Sequence, residues 1–190
     1  ELRQIAPLCT LTVVSVESTG FEHALDGEHV DLAVTGSLQV SADILREPLY
    51  GHRFTVIVSQ DCALQDRISD EQFAQMEHVL FAPHGARRSW LREDLEARGL
   101  GGRIRLSTPH HLIVPLLVER EAALAAVVPQ LLADTYTRFA RVKILQPDFP
   151  LPRIEVYQYW HRRYDADPFH RWLRSFVRDR LYRNPALHIP

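Results

Sequence analysis

Short apolar runs alternate with amphipathic stretches along most of this chain. Leu11–Val16 (LTVVSV) is β-branched and apolar, the composition of a buried strand. A short amphipathic stretch over Phe21–Leu25, stopped by Gly27, leads to a second buried strand, Asp31–Val34, which ends at Thr35-Gly36-Ser37. Leu45–Tyr50 and Phe54–Val58 predict two further strands joined around Gly51. Ser69 is placed to cap a short helix running through Met76, and His78–Ala82 reads as strand again. Gly85–Arg98 has Leu91 and Leu95 on one helical face and ends at Gly99. Ile104 and Leu106 fall in a short strand, His110–Arg120 in a helix with Pro115 near its first turns, and Leu124–Val128 in a strand. Pro129 suits the first position of a helix reaching about Tyr136. Val142–Leu145 and Ile154–Trp160 are the last strands.

The final helix has the clearest pattern. Asp167 supplies the N-cap and Pro168 the first position, and Phe169, Trp172, Leu173, Phe176, Val177 and Leu181 follow at helical spacing. Arg178, Arg180 and Arg183 gather at its C-terminal end, where the helix dipole favours cations. At the other end of the chain, Glu1–Ala6 reads as the tail of a helix stopped by Pro7.

Strands alternating with helices predict an α/β fold of parallel sheets covered on both faces. Two breaks interrupt the alternation, at Cys62–Ser69 and at Gln146–Pro152, the second punctuated by Pro147, Pro150 and Pro152. The expected organisation is two lobes: residues 1–62 plus 149–190 form lobe I, and residues 63–148 form lobe II. Two crossover segments then join the lobes and leave a cleft between them.

Composition narrows the function classes. The chain has 190 residues, 46% hydrophobic and 24% charged, which suits a globular core needing no disulfides or metal. With 22 basic and 24 acidic residues the net charge is -2, without the basic excess of a DNA-binding domain. Any contact with DNA is therefore expected through a part outside this segment. Cys9 and Cys62 are far apart and form neither a CxxC pair nor a disulfide framework, as reduced thiols of a cytoplasmic protein would. No apolar run approaches a membrane span, and no stretch reads as a signal peptide. The chain begins at Glu1 rather than Met and is expected to be a piece of something longer.

Candidate chemistry follows from the fold class. In open parallel sheets, ligands bind beyond the carboxyl ends of strands, where helix N-termini point. That rule selects Glu17, Ser18 and Thr19; Thr35 and Gly36; Ser107, Thr108, Pro109 and His110; and Pro129. Small polar side chains there can fix polar ligand groups, and free helix N–H groups can hold a carboxylate; capping alone explains each of them equally well. Arg87 and Arg88 lie in the first turn of a helix, where positive charge opposes the dipole, so an anionic partner is one explanation and plain solvation another. Leu116 is expected to line the same cleft and Tyr159 to add an aromatic contact, whereas Trp160 and Trp172 read as core. His84, His110 and His111 lack the spacing of a metal site, and no metal or cofactor is expected. No GxSxG elbow, P-loop or GxGxxG occurs, so no catalytic residue is expected.

Several stretches resemble the effector-binding (substrate-binding) domain of LysR-type transcriptional regulators. Asp31-Leu32-Ala33-Val34, preceded by Leu25-Asp26-Gly27, resembles the family's "DLAI" strand. Pro48-Leu49 with Phe54–Val58 is similar to its "PL…v.vv" hairpin, and Ala125-Ala126-Val127-Val128-Pro129 to its "GIAxxP" turn, with alanine where glycine is usual. Tyr159-Trp160-His161 through Asp167-Pro168 and Arg171-Trp172-Leu173-Arg174 is similar to the "WH…DP..RWLR" ending of the branch that includes nodulation and aromatic-catabolism regulators. Ser107-Thr108-Pro109-His110 also resembles that branch.

The resemblance covers essentially the whole chain and implies a fold like the type II periplasmic binding proteins: two Rossmann-like lobes with a ligand between them. It implies a small organic effector, aromatic or carboxylated, side-by-side dimers or tetramers, and a winged helix-turn-helix that this segment lacks. Candidate dimer contacts are the helix ending at Pro7 and Gly85–Arg98. It also places a pocket residue at Arg87 or Arg88, and a strand and most of a helix before Glu1. Two other readings share the sequence features. A transporter's solute-binding protein would carry an export signal upstream, and a small α/β enzyme would turn over a substrate.

Overall fold

A computed structural model describes residues 2–14, 20–27, 29–82, 90–100 and 103–182. In chain order the elements are α1 (Leu2–Ile5), α2 (Phe21–Asp26), β1 (Ala33–Gly36), β2 (Ile44–His52), β3 (Phe54–Ser59), β4 (Arg67–Ile68), α3 (Asp70–Gln75), β5 (Glu77–Phe81), α4 (Trp90–Ala97) and β6 (Arg103–Thr108). A 3₁₀ turn (His111–Ile113), α5 (Val114–Val118), β7 (Leu124–Pro129), α6 (Gln130–Tyr136), β8 (Val142–Pro147), β9 (Ile154–His161), a second 3₁₀ turn (Arg162–Tyr164) and α7 (Pro168–Tyr182) follow.

The strands form two sheets. One has the order β1-β9-β2 and the other β4-β8-β3-β7-β5-β6. The chain passes between them twice, from β2 to β3 through Arg53 and from β8 to β9, so the final strand and helix rejoin the first sheet.

The six-stranded sheet is a three-layer core. Side chains alternate along each strand, so Val56, Val58, Leu80, Ala125 and Val127 pack on one side, with Phe73 of α3 and Leu91 and Leu95 of α4. Ile57, Val79, Ala126 and Val128 pack on the other, with Val114 and Val118 of α5 and Ala133 and Tyr136 of α6. β7 is buried at every position, as a strand covered on both faces must be. The smaller sheet packs Tyr159 against Phe21 and Leu25 of α2 on one face, and α7 rests on β2 on the other.

Several expectations need correction. Leu11–Val14 is not a strand: Leu11 and Val13 are exposed, because no described strand runs beside them to pair with their backbone; the rest of that run lies outside the described residues. The described strands of the smaller sheet are antiparallel rather than parallel, because β9 arrives from the other lobe and runs against both neighbours. Phe54–Ser59, expected among the strands of lobe I, belongs to the six-stranded sheet. β3 pairs with β7 and β8, and its residues Thr55–Ser59 are buried between helical layers. The strand expected at Asp31–Val34 is displaced to Ala33–Gly36; Asp31 instead presents its carbonyl to His170 Nε2 at 2.8 Å. Pro129 ends β7 in extended backbone and stands at the N-cap of α6 instead of its first position, since Gln130 N–H is bonded to Arg53 O at 2.9 Å. His110–Arg120 divides into a 3₁₀ turn and a short helix opened by Pro115.

Candidate functional site

Strand register fixes where the ends of the two sheets meet. Phe54 of β3 pairs with Pro129 of β7, and Phe81 of β5 pairs with Thr108 of β6. Counting forward from His78↔Ala125 brings Phe81 level with Val128. Phe54, Pro129, Phe81 and Thr108 therefore lie along one end of the six-stranded sheet. In the smaller sheet, Gly36 pairs with Val156, and His52 with Ile154, at the end from which the crossings depart. His52 and Phe54 are separated by Arg53 alone, so the two sheet ends adjoin.

The residues selected at strand ends divide among three situations. Ser18, Thr19, Arg87 and Arg88 lie outside the described residues, as does Glu17. Ser107, Thr108, Pro109, His110 and Pro129 stand together at the end of the six-stranded sheet. Thr108 is buried and its Oγ1 accepts the His110 N–H at 3.2 Å, which sets the direction in which the chain leaves β6. Leu116 is partly exposed on α5, beside the more exposed Leu112 and Ile113. Gly36 and Tyr159 belong to one arrangement. The Tyr159 ring is fully buried, and its hydroxyl donates to Gly36 O at 2.9 Å while accepting from Leu38 N–H at 2.9 Å. Tyr159 thus braces the chain after β1 from inside lobe I, where burial leaves it no free surface. Trp160 is buried, as expected, under the Arg174 guanidinium 4.3 Å from its ring centroid; Trp172 is half-buried, stacked between Phe169 and Phe176.

A row of rings at the crossing was not selected from the sequence. Tyr50, His52 and Phe54 recur at every second position, with ring centroids 4.9 Å apart for Tyr50–His52 and 6.5 Å for His52–Phe54. From the other lobe, Phe81 and His111 stack with centroids 3.4 Å apart and planes 19° from parallel. The Tyr136 hydroxyl holds the turn by donating to His111 O at 3.1 Å. Burial, together with the nearby His52 imidazole, pushes the pKa of His111 down to about 4; burial also lowers that of His52. Both rings are therefore neutral at pH 7. The period-two pattern of aromatic residues was the available signal, but it is also the pattern of an ordinary strand face.

A hollow of about 480 Å³ lies elsewhere, lined by Ser37, Leu38, Gln39, Val40 and Arg46. It opens to solvent on the face of the smaller sheet, and Arg46 is already held there by Leu38 O at 2.9 Å. The strand ends, which both lobes share, are the stronger candidate. Among the described residues no group of three or more His, Cys, Asp or Glu side chains forms a metal site, and no helix is long and apolar enough to cross a membrane.

Several transcriptional regulators are similar to this chain. The HTH-type transcriptional activator NahR of Pseudomonas putida is 26% identical over 175 residues, a stretch covering 92% of this chain and 58% of NahR. The chain thus spans a little over half the length of that relative. The regulatory domain of MexT from Pseudomonas aeruginosa has the same fold, with a TM-score of 0.81 at 20% identity over 94% of this chain and 86% of that one. The effector-binding domain of QuiR, solved in complex with shikimate, superposes with a TM-score of 0.71 at 16% identity, covering 88% of this chain and 79% of that one. The model of the LysR substrate binding domain matches residues 1–182, and the chain belongs to that family.

Proposed function

We propose that this chain is the sensing part of a DNA-binding regulator and performs no catalysis. A small organic effector binds between lobe I (residues 1–53 and 149–190) and lobe II (residues 54–148), and the lobe arrangement it favours is passed to a winged helix-turn-helix outside this segment. The observation that carries the reading is the meeting of the two sheet ends at Arg53: a molecule seated there touches both lobes at once. Such contact gives an effector different affinities for different lobe arrangements, and only that difference can move the equilibrium. Taking a two-state switch from about 1:99 to 99:1 needs roughly 10⁴-fold discrimination between its states.

Ser107, Thr108, Pro109, His110, Leu116 and Pro129 are the proposed lobe II wall, and Gly36 with Tyr159 behind it the lobe I wall. Ser18 and Thr19 are proposed to add polar contacts. Arg87 or Arg88 is proposed to pair with an anionic group, a role supported by the carboxylate of the shikimate bound to QuiR. The regulator is proposed to be cytoplasmic and to work as a dimer or tetramer.

The test uses the full-length regulator and its operator DNA. Fluorescence anisotropy should show DNA affinity changing at least several-fold when an effector raises the melting temperature of the sensing domain. Ligands that stabilise the domain but leave DNA affinity untouched would overturn the reading.

A further inference from the structure

Away from the strand ends, the hollow on the smaller sheet holds a cation fixed in place. Arg46 projects from β2, and the Ser37–Val40 segment runs beside it after leaving β1. The Tyr159 hydroxyl pins that segment from inside the core by accepting the Leu38 N–H at 2.9 Å. Leu38 and Val40 pack partly against the core formed by Phe21, Leu25, Ile44 and Tyr159, while Ser37 and Gln39 stay exposed. The hollow therefore has an apolar wall and a polar rim, and its volume of about 480 Å³ falls in the range of small-molecule sites.

The Arg46 side chain is anchored without being neutralised. Nη1 donates to Leu38 O at 2.9 Å and to Ser37 Oγ at 3.3 Å, which uses both of its hydrogens. The guanidinium carbon lies 4.8 Å from the centre of the Tyr157 ring. These partners are uncharged, and among the described residues no carboxylate comes within 4.0 Å of the group. Glu155, on the neighbouring strand β9, instead accepts from the Tyr157 hydroxyl at 2.8 Å. Arg163, Arg174 and Arg178, which pack around the same sheet, each pair with an acid. What Arg46 keeps unused is its Nε–Nη2 edge, the fork that matches a carboxylate.

We propose that this hollow is a second ligand site, built by the smaller sheet alone, and that it takes a small organic carboxylate. The carboxylate receives parallel N–H bonds from Nε and Nη2 of Arg46, and its hydrocarbon part lies on Leu38 and Val40. Because Nη1 is already tied down, little side-chain freedom is lost on binding. A neutral amide of the same shape offers a single oxygen and leaves the cation uncompensated. The site uses no residue of the six-stranded sheet, so it stands whether or not an effector binds where the two sheet ends adjoin.

Hexanoate is the probe, with hexanamide, acetate and inorganic phosphate as comparisons. Each is titrated into the chain in low-chloride buffer near neutral pH, and the Arg46 Nε–H and the Leu38 and Val40 methyl signals are followed by NMR. Hexanoate should shift these signals saturably, with a dissociation constant of about 1 mM. Hexanamide and acetate should bind at least roughly fivefold more weakly, the first for want of charge and the second for want of a hydrocarbon part. Arg46→Gln should weaken hexanoate about tenfold. Arg46→Lys should weaken it nearly as much, because an ammonium keeps the charge but not the fork. Gln39→Glu leaves Arg46 and the core untouched, sets a competing carboxylate on the rim and should weaken hexanoate severalfold; circular dichroism verifies that the variants fold. Hexanoate that leaves the Arg46 signal in place, that shifts only Thr108 and His110 at the strand ends, or that binds Arg46→Gln or Gln39→Glu undiminished overturns the proposal. Hexanamide, acetate or inorganic phosphate binding as tightly as hexanoate overturns it too, since the hollow would then not recognise a carboxylate with a hydrocarbon body.

Discussion

The Arg174 guanidinium donates to Nδ1 of His170 at 3.0 Å, so the imidazole proton must sit on Nε2, which donates to Asp31 O at 2.8 Å. One turn of α7 is thereby tied to the segment leading into β1. Arg174 also reaches Tyr164 O at 3.3 Å and Asp165 O at 3.2 Å, and covers the Trp160 ring. The side chain is nearly buried, so removing it leaves acceptors without donors and opens a space over the indole. Arg174→Ala should cost roughly 2–4 kcal/mol. Arg174→Lys should recover little, because an ammonium cannot fork between these acceptors. Urea unfolding of both variants measures this; near-complete recovery by lysine would show that charge, not geometry, holds the helix.

The Tyr159 hydroxyl ties together the two sides of the chain after β1, accepting from Leu38 N–H and donating to Gly36 O. Tyr159→Phe keeps the edge-on ring contact with Phe21, at 5.3 Å between centroids, and deletes only these two bonds. The expected loss is about 1–2 kcal/mol. Hydrogen exchange at Leu38 should quicken more than exchange in β9. Unchanged exchange at Leu38 would contradict the bracing role.

Ser69 caps α3 through a reciprocal capping box: its hydroxyl accepts from Gln72 N–H at 3.2 Å, and Gln72 Oε1 accepts from Ser69 N–H at 2.9 Å. Ser69→Ala should destabilise the protein by about 1 kcal/mol. Gln72→Ala should cost less, since Ser69 N–H lies in an exposed setting where water can replace the side chain. A thermal melt of each variant checks the order, and a larger loss at Gln72 would reverse the assignment.

The Ser69 cap, the Asp167 cap of α7 and the Gly27 and Gly99 stops were legible because each is local: a few neighbouring residues determine the outcome. The Asp167 carboxylate accepts from His170 N–H at 2.7 Å, and Gly99 sits at φ 72°. Partnership was not legible. Leu11–Val14 has the composition of a buried strand yet stands exposed, because composition does not say whether a neighbour lies alongside. Phe54–Ser59 looked continuous with the lobe I strands; only its pairing with β7 and β8 places it in the six-stranded sheet. The site divides in the same way. The strand-end rule reached Ser107–His110 and Pro129, but not the Phe81–His111 stack, whose members lie thirty positions apart with no local pattern connecting them. Tyr159 was expected at the ligand on its chemistry, while its depth in the core depends on α2, which packs against it from a distant part of the sequence.

Acid should destabilise this fold before it protonates carboxylates in bulk. His111 has its pKa pushed down to about 4, and burial lowers those of His52 and His78 as well. In the unfolded chain these groups return to about 6.5. Between those values the unfolded chain binds protons that the folded chain refuses, so stability falls as pH drops from about 6.5 and the His111 contribution is exhausted near 4, where the folded imidazole protonates too. His78 adds in the same direction: it is buried against Phe73, with ring centroids 4.4 Å apart, and its Nε2 has no hydrogen-bond partner among the described residues. Melting temperatures measured from pH 7.5 to 4.5 should decline steadily. His111→Phe retains the ring on Phe81 but cannot take up a proton, so its decline should be shallower than that of the wild-type chain. Parallel profiles for the two proteins would mean that His111 titrates alike in both states and that its burial has no thermodynamic consequence.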